Sequence, residues 1–142
     1  MKILIAYDGS ESADFALEDL KRAGLPKAAE AIVVSLADVF LPPTINEEVD
    51  NTVPMYVPEG VRRAHERAER ELREAESMAR RASEQIQTSF PGWHVRHEAV
   101  ADSPAWALIR TADEWKADLV VVGARGHSVL GGRLILGSVS QR

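Results

Sequence analysis

KILIAYDGSESADFALEDLKRAGLPKAAEAIVVSLADV, residues 2–39, decides the fold. Its opening run, KILIAY, is short, apolar and closed by the turn signal DGS, the pattern of a buried strand. The stretch that follows, SESADFALEDLKRAGL (10–25), puts Ala13, Ala16, Leu17 and Leu20 on one helical face. Ser10 or Ser12 can cap its start, and Gly24 can end it. AIVVSLADV (31–39) then reads as a second strand, apolar almost throughout, the type that is buried on both faces. Strand, helix and strand in this order make a βαβ unit, which nearly always crosses over right-handed.

The alternation continues along the chain. Residues 41–58, LPPTINEEVDNTVPMYVP, form a long proline-rich connection in which no site is recognisable. From 59 to 88 Val61, Ala64, Ala68, Leu72, Ala75, Ala79, Ala82 and Ile86 recur at steps of three and four, which predicts a long helix. Its other faces are rich in Arg and Glu, with Glu66/Arg70 and Glu69/Arg73 four apart, and read as a solvated surface of weak pairs. PGW breaks that helix, and HVRHEAV (94–100) alternates as a third strand. SPAWALIRTADEW (103–115) carries Ser103 as a cap, Pro104 at the first helical position, and Ala107, Leu108 and Ala112 inward. ADLVVVG (117–123) is the fourth strand.

The element order predicts an α/β fold, a doubly wound parallel sheet with strand order 3-2-1-4. Strands 1 and 4 then lie side by side where the winding reverses. Ligands of such sheets bind there, at the carboxyl ends of the strands. Two polar loops meet at this place, YDGS (7–10) and GARGHSVLGG (123–132). The second opens GARGHSVLGGRLILGS (123–138), which holds five glycines in sixteen positions. Glycine weakens a loop unless the backbone needs a positive φ or something must approach it closely. A glycine-rich loop leading into a helix can aim several N–H groups at one anion, so the expected ligand is a phosphate. Gly123 and Gly126 would let the backbone approach it, Gly137 and Ser138 would close the cradle, and Arg125 and His127 would add positive charge. The loop is neither a Walker A motif nor the G-x-G-x-x-G of dinucleotide folds.

Composition limits the alternatives. A chain of 142 residues is one domain, long enough to bury a core without metal or disulfide. It has no cysteine, which excludes thiol catalysis and thiolate metal sites. The net charge of −5 argues against nucleic acid as a partner. No apolar run approaches the length of a membrane span, and MKILIAYDGSE has no signal-peptide pattern, so a cytoplasmic location is expected. His94 and His97 are three apart on a strand and point to opposite faces, so they cannot share a metal. His65 reads as solvated, and Trp106 and Trp115 as core or interface aromatics. No carboxylates cluster beside His127, so neither a metal site nor a catalytic residue is assigned.

YDGSESADFAL after the first strand, with ADLVVVGARGHSVLGGRLILGSVS near the end, resembles the universal stress protein family. The similarity spans the whole chain, including ADSPAWALIRTADEWKADLVVVG. Members with a nucleotide site carry Gly-x2-Gly-x9-Gly-Ser/Thr. Here the pattern begins at Gly123 and Gly126 and finishes at Gly137-Ser138, with ten residues between Gly126 and Gly137 and a Gly131-Gly132 pair to absorb the extra one. The resemblance implies ATP, ADP or AMP as ligand, with Mg²⁺ bridging the phosphates. It implies that Asp8 faces the adenine or ribose and that Ala6 and Tyr7 line the base pocket. Leu36 would pack on the adenine and Val122 would lie beneath it. Gly123, Arg125, Gly126, His127, Gly137, Ser138, Val139 and Ser140 would surround ribose and phosphates. A stress-response switch or sensor follows, in which no residue is placed as a general base for the γ-phosphate, so any hydrolysis is slow. A nucleotide-free dimeric scaffold is the alternative. The resemblance also implies a last helix and a fifth strand beside strand 4. Either the chain continues past residue 142, or a homodimer covers that strand.

Overall fold

The computed structural model describes residues 1–37, 39, 58–102 and 104–123. Four strands and three helices alternate: β1 (Lys2–Ala6), α1 (Glu11–Leu20), β2 (Ala29–Ala37), α2 (Glu59–Ser89), β3 (Trp93–Ala101), α3 (Pro104–Trp115) and β4 (Leu119–Val121). The strands form one parallel sheet of order β3-β2-β1-β4, as the sequence predicts. The proline-rich connection up to residue 57, the Ser103 cap and the loop from residue 124 onward lie outside the described residues.

β1 is central, and Ile3, Leu4 and Ile5 are buried because both faces of the sheet are covered there. Each such side chain contributes about 1.5–3 kcal/mol relative to exposure. Alternation divides the side chains between two clusters. Ile3, Ile5, Ala31, Val33, Trp93 and Val95 pack with Leu17 and Leu20 of α1 and Ala79, Ala82 and Ile86 of α2. Leu4, Ile32, Val34 and Leu36 face the other way, toward Leu108 and Ala112 of α3. His94 and His97 differ in parity on β3 and so take opposite faces, as expected; Ser83 Oγ of α2 lies 3.5 Å from His97 Nδ1.

Ser10 caps α1, its Oγ accepting from the Ala13 N–H at 3.1 Å. That satisfies one of the donors a helix start leaves open. α1 ends at Leu20, and Gly24, at φ +68°, reverses the chain beyond it. The alanines of α2 let it lie close on β2 and β3, but its helical pattern overstates the contact. Val61 is 44% exposed, Ala64 is exposed too, and the first buried residue is Ala68. The early turns of α2 carry Glu59–Arg63 at 2.9 Å, Arg62–Glu66 at 3.5 Å, His65–Glu69 at 3.1 Å and Arg67–Glu71 at 3.1 Å. Glu66 thus pairs backward with Arg62, whereas the expected Glu69–Arg73 pair forms at 3.8 Å. All lie at the surface, and the Arg–Glu pairs contribute only about 0.3–0.5 kcal/mol each.

β4 is shorter than the predicted 117–123 and closes against the start of the chain. Asp118 Oδ2 accepts from the Lys2 N–H at 2.7 Å, and the Asp118 N–H donates to the Lys2 carbonyl at 2.8 Å. Two cations lie over the Trp115 ring, Lys2 Nζ and Arg96 Cζ, each 5.6 Å from its centre. Trp106, by contrast, is 57% exposed and is not part of the core.

Candidate functional site

β1 and β4 are neighbours, Ile5 lying opposite Val121. β1 and β2 lead the chain to one side, toward β3, and α3 returns it to β4 on the other. The carboxyl ends of β1 and β4 are therefore the point where the winding reverses, the place at which such sheets form a ligand crevice.

Three of the expected pocket residues come together here. Ala6 from β1, Leu36 from β2 and Val122 just beyond β4 all pack, partly buried, against the cluster on the α3 face. They form an apolar floor that reaches the ends of three adjacent strands. Asp8 stands immediately past β1, and its Oδ1 accepts from the Ser10 N–H at 3.0 Å. This is the turn role open to any Asp before such a sequence, and it fixes one oxygen of the carboxylate. Gly9 makes the turn possible, since its φ of +73° is a conformation that side chains disfavour.

Tyr7 separates from this group. Its ring lies on the opposite face, against the cluster under α1 and α2, and its hydroxyl donates to Asp14 Oδ1 at 2.6 Å. Partial burial, with the bond to Asp14 and its charge, pushes the phenol up from 10.0 to about 12. Because the folded value is the higher one, this contribution is complete below pH 10 and is lost as pH rises toward 12. Stability is therefore expected to fall between pH 10 and 12. In Tyr7→Phe, a thermal-unfolding series should lose that decline. An unchanged pH dependence in the variant would remove Tyr7 as its source. On the same side, Tyr7, Gly9, Met78, Arg81, Ala82 and Gln85 line a depression of about 340 Å³.

Gly123 has a structural duty in addition to the one its loop suggests. A Cβ there would lie 3.0 Å from the Ala13 nitrogen and 3.1 Å from the Ser12 carbonyl carbon, so the glycine lets the end of β4 lean on the first turn of α1. That turn is itself a poor host for an anion. Ser10 already caps it, and Glu11 and Asp14 give it negative charge. Arg125, Gly126, His127, Gly137, Ser138, Val139 and Ser140 lie outside the described residues. Sequence reading overlooked Ser35, a hydroxyl in an otherwise apolar strand. It is fully buried, and its Oγ donates to the Tyr7 carbonyl at 2.6 Å. A lone serine within AIVVSLA was the available signal.

Comparison with known proteins agrees with this fold. Residues 1–142 match the universal stress protein family. A universal stress protein from Thermus aquaticus, from the region 3′ of a QAH/OAS sulfhydrylase, is 32% identical over 142 residues, 99% of this chain and 88% of the relative. The chain belongs to the universal stress protein family. Among solved structures, a universal stress protein in complex with cAMP is similar at TM-score 0.54 and 22% identity, covering 98% of this chain and 86% of that one. A universal stress protein family protein from Arabidopsis thaliana with AMP bound is similar at TM-score 0.50 and 14% identity, covering 99% and 82%. At these identities the two structures share the family's α/β fold with this member. No described helix of this family member is long and apolar enough to cross a membrane.

Proposed function

We propose that this universal stress protein binds an adenine nucleotide in the crevice between β1 and β4 and acts as a nucleotide-dependent switch or sensor in a stress response. The observation that carries the reading is the convergence of Ala6, Leu36 and Val122 into an apolar floor beside the Asp8 carboxylate. A flat apolar base fits such a floor, and one fixed carboxylate beside it suits an amino or hydroxyl donor of the nucleoside. AMP and cAMP in two structurally similar family members point to the same ligand class. The phosphates are assigned to the loop from Gly123 to Ser138, since the start of α1 is capped and acidic. Among the described residues no three His, Asp or Glu side chains cluster to hold a metal, so Mg²⁺ would arrive with the phosphates of ATP.

Calorimetric titration with AMP, ADP and ATP, with and without Mg²⁺, tests the assignment. Asp8→Ala should weaken AMP and ATP together by about 1–3 kcal/mol, because an acceptor at the nucleoside end serves both. Equal affinity in the variant would return Asp8 to its turn role. A nucleotide-free paired scaffold is the competing reading, favoured by Val120, which is 41% exposed on the outer strand β4. A dimer that gives no heat with any of the three nucleotides would decide for it.

A further inference from the structure

We infer that Ser35 is a positioning residue for Asp8, acting through the peptide bond that joins Tyr7 to Asp8. Only the binding arm of its test rests on the nucleotide reading above. Ser35 and Ser83 are the buried polar residues among those described, and Ser35 is the more enclosed, at 0% exposure. It lies between Val34 and Leu36 in a strand that packing alone would fill with an apolar side chain. The β1–β2 ladder runs out beside it, the Tyr7 N–H donating to the Val34 carbonyl at 2.9 Å. Past that rung, the Ser35 hydroxyl supplies the bond to the Tyr7 carbonyl, at 2.6 Å.

This carbonyl shares a rigid plane with the Asp8 nitrogen. Holding it therefore sets the plane from which the Asp8 backbone departs. Tyr7 is also fixed at its other end, through the bond from its hydroxyl to Asp14 Oδ1. With both ends of Tyr7 held, Asp8 begins from one orientation. Its Oδ1 is then committed to the Ser10 N–H at 3.0 Å, and the carboxylate is fixed beside the apolar floor. Ser35 touches no ligand in this arrangement. It acts by orienting a residue that does.

Ser35→Ala nearly preserves volume and removes the hydroxyl. Two measurements on the full chain test its role. The first needs no ligand: amide hydrogen exchange should show the Ser10 N–H losing at least about tenfold protection, while the Ile3–Ile5 amides keep theirs. The second is AMP affinity, which should weaken about tenfold in Ser35→Ala but change less than about twofold when the same substitution is added to Asp8→Ala. A merely structural serine would instead lower protection across β1 and β2 together, or weaken AMP equally in both backgrounds. Unchanged Ser10 protection in Ser35→Ala overturns the inference outright. If the wild-type protein binds no nucleotide, the nucleotide reading fails alone, and the exchange measurement still decides for or against Ser35. Should Ser35→Ala not fold, Ser35→Cys, similar in size and a weak donor, is read by the same measurements.

Discussion

Gly126→Val is expected to give a folded protein that no longer binds AMP or ATP. A phosphate held by backbone N–H groups needs the chain to come within hydrogen-bond distance of its oxygens, and a Cβ with two branches occupies that space. The start of α1 beside Gly123 is capped by Ser10 and carries Glu11 and Asp14, so it repels an anion. Calorimetry with AMP and ATP, beside a thermal melt that matches the wild type, is the required pair of measurements. A folded variant with wild-type affinity would take the glycine loop out of the site.

Trp93→Ala should bring the largest loss of stability, about 3–5 kcal/mol, because a buried indole leaves a cavity that its surroundings fill only in part. Trp93 is 2% exposed, stacks on Phe90 with ring centres 4.0 Å apart, and donates its Nε1–H to the Pro26 carbonyl at 2.9 Å. It joins the end of α2, the start of β3 and the segment leading into β2. Truncation removes packing at all three and deprives the carbonyl of its donor. Domains of this kind hold only about 5–15 kcal/mol in total, so the shift in a urea-unfolding midpoint should be large. A loss under about 1 kcal/mol would show that the turn, and not the ring, holds these elements together.

The parts of the fold that repetition encodes were legible in the sequence. Continuous apolar runs gave β1 and β2, and the step of three and four gave α2, because burial on a sheet imposes those periods. Periodicity does not say how far a helix overhangs the sheet beneath it. Val61 and Ala64 continue the pattern and yet are exposed. Trp93 was read as part of a helix break, because PGW marks a turn whether or not its aromatic residue enters the core. At the candidate site, Ala6, Leu36 and Val122 pack against one cluster, on strand ends that parity places on one face. Tyr7, one residue from Ala6, falls on the other face for the same reason. Ser35 escaped notice because its importance lies in a contact 28 residues distant along the chain.

The pairing of β1 with β4 also bears on how the protein comes into being. Ile3 finds Leu119, and Lys2 exchanges bonds with Asp118, across almost the whole length of the chain. Such distant partners are slow to meet, because the entropy of closing the intervening loop is lost before their contact gives anything back. On a ribosome, β1 must wait for β4 to emerge before its second flank is covered. The β3-β2-β1 portion can gather earlier around α1 and α2. The crevice between β1 and β4 is therefore the last part of the described fold to exist, so a ligand proposed to bind there would meet only a chain whose β4 has already been made.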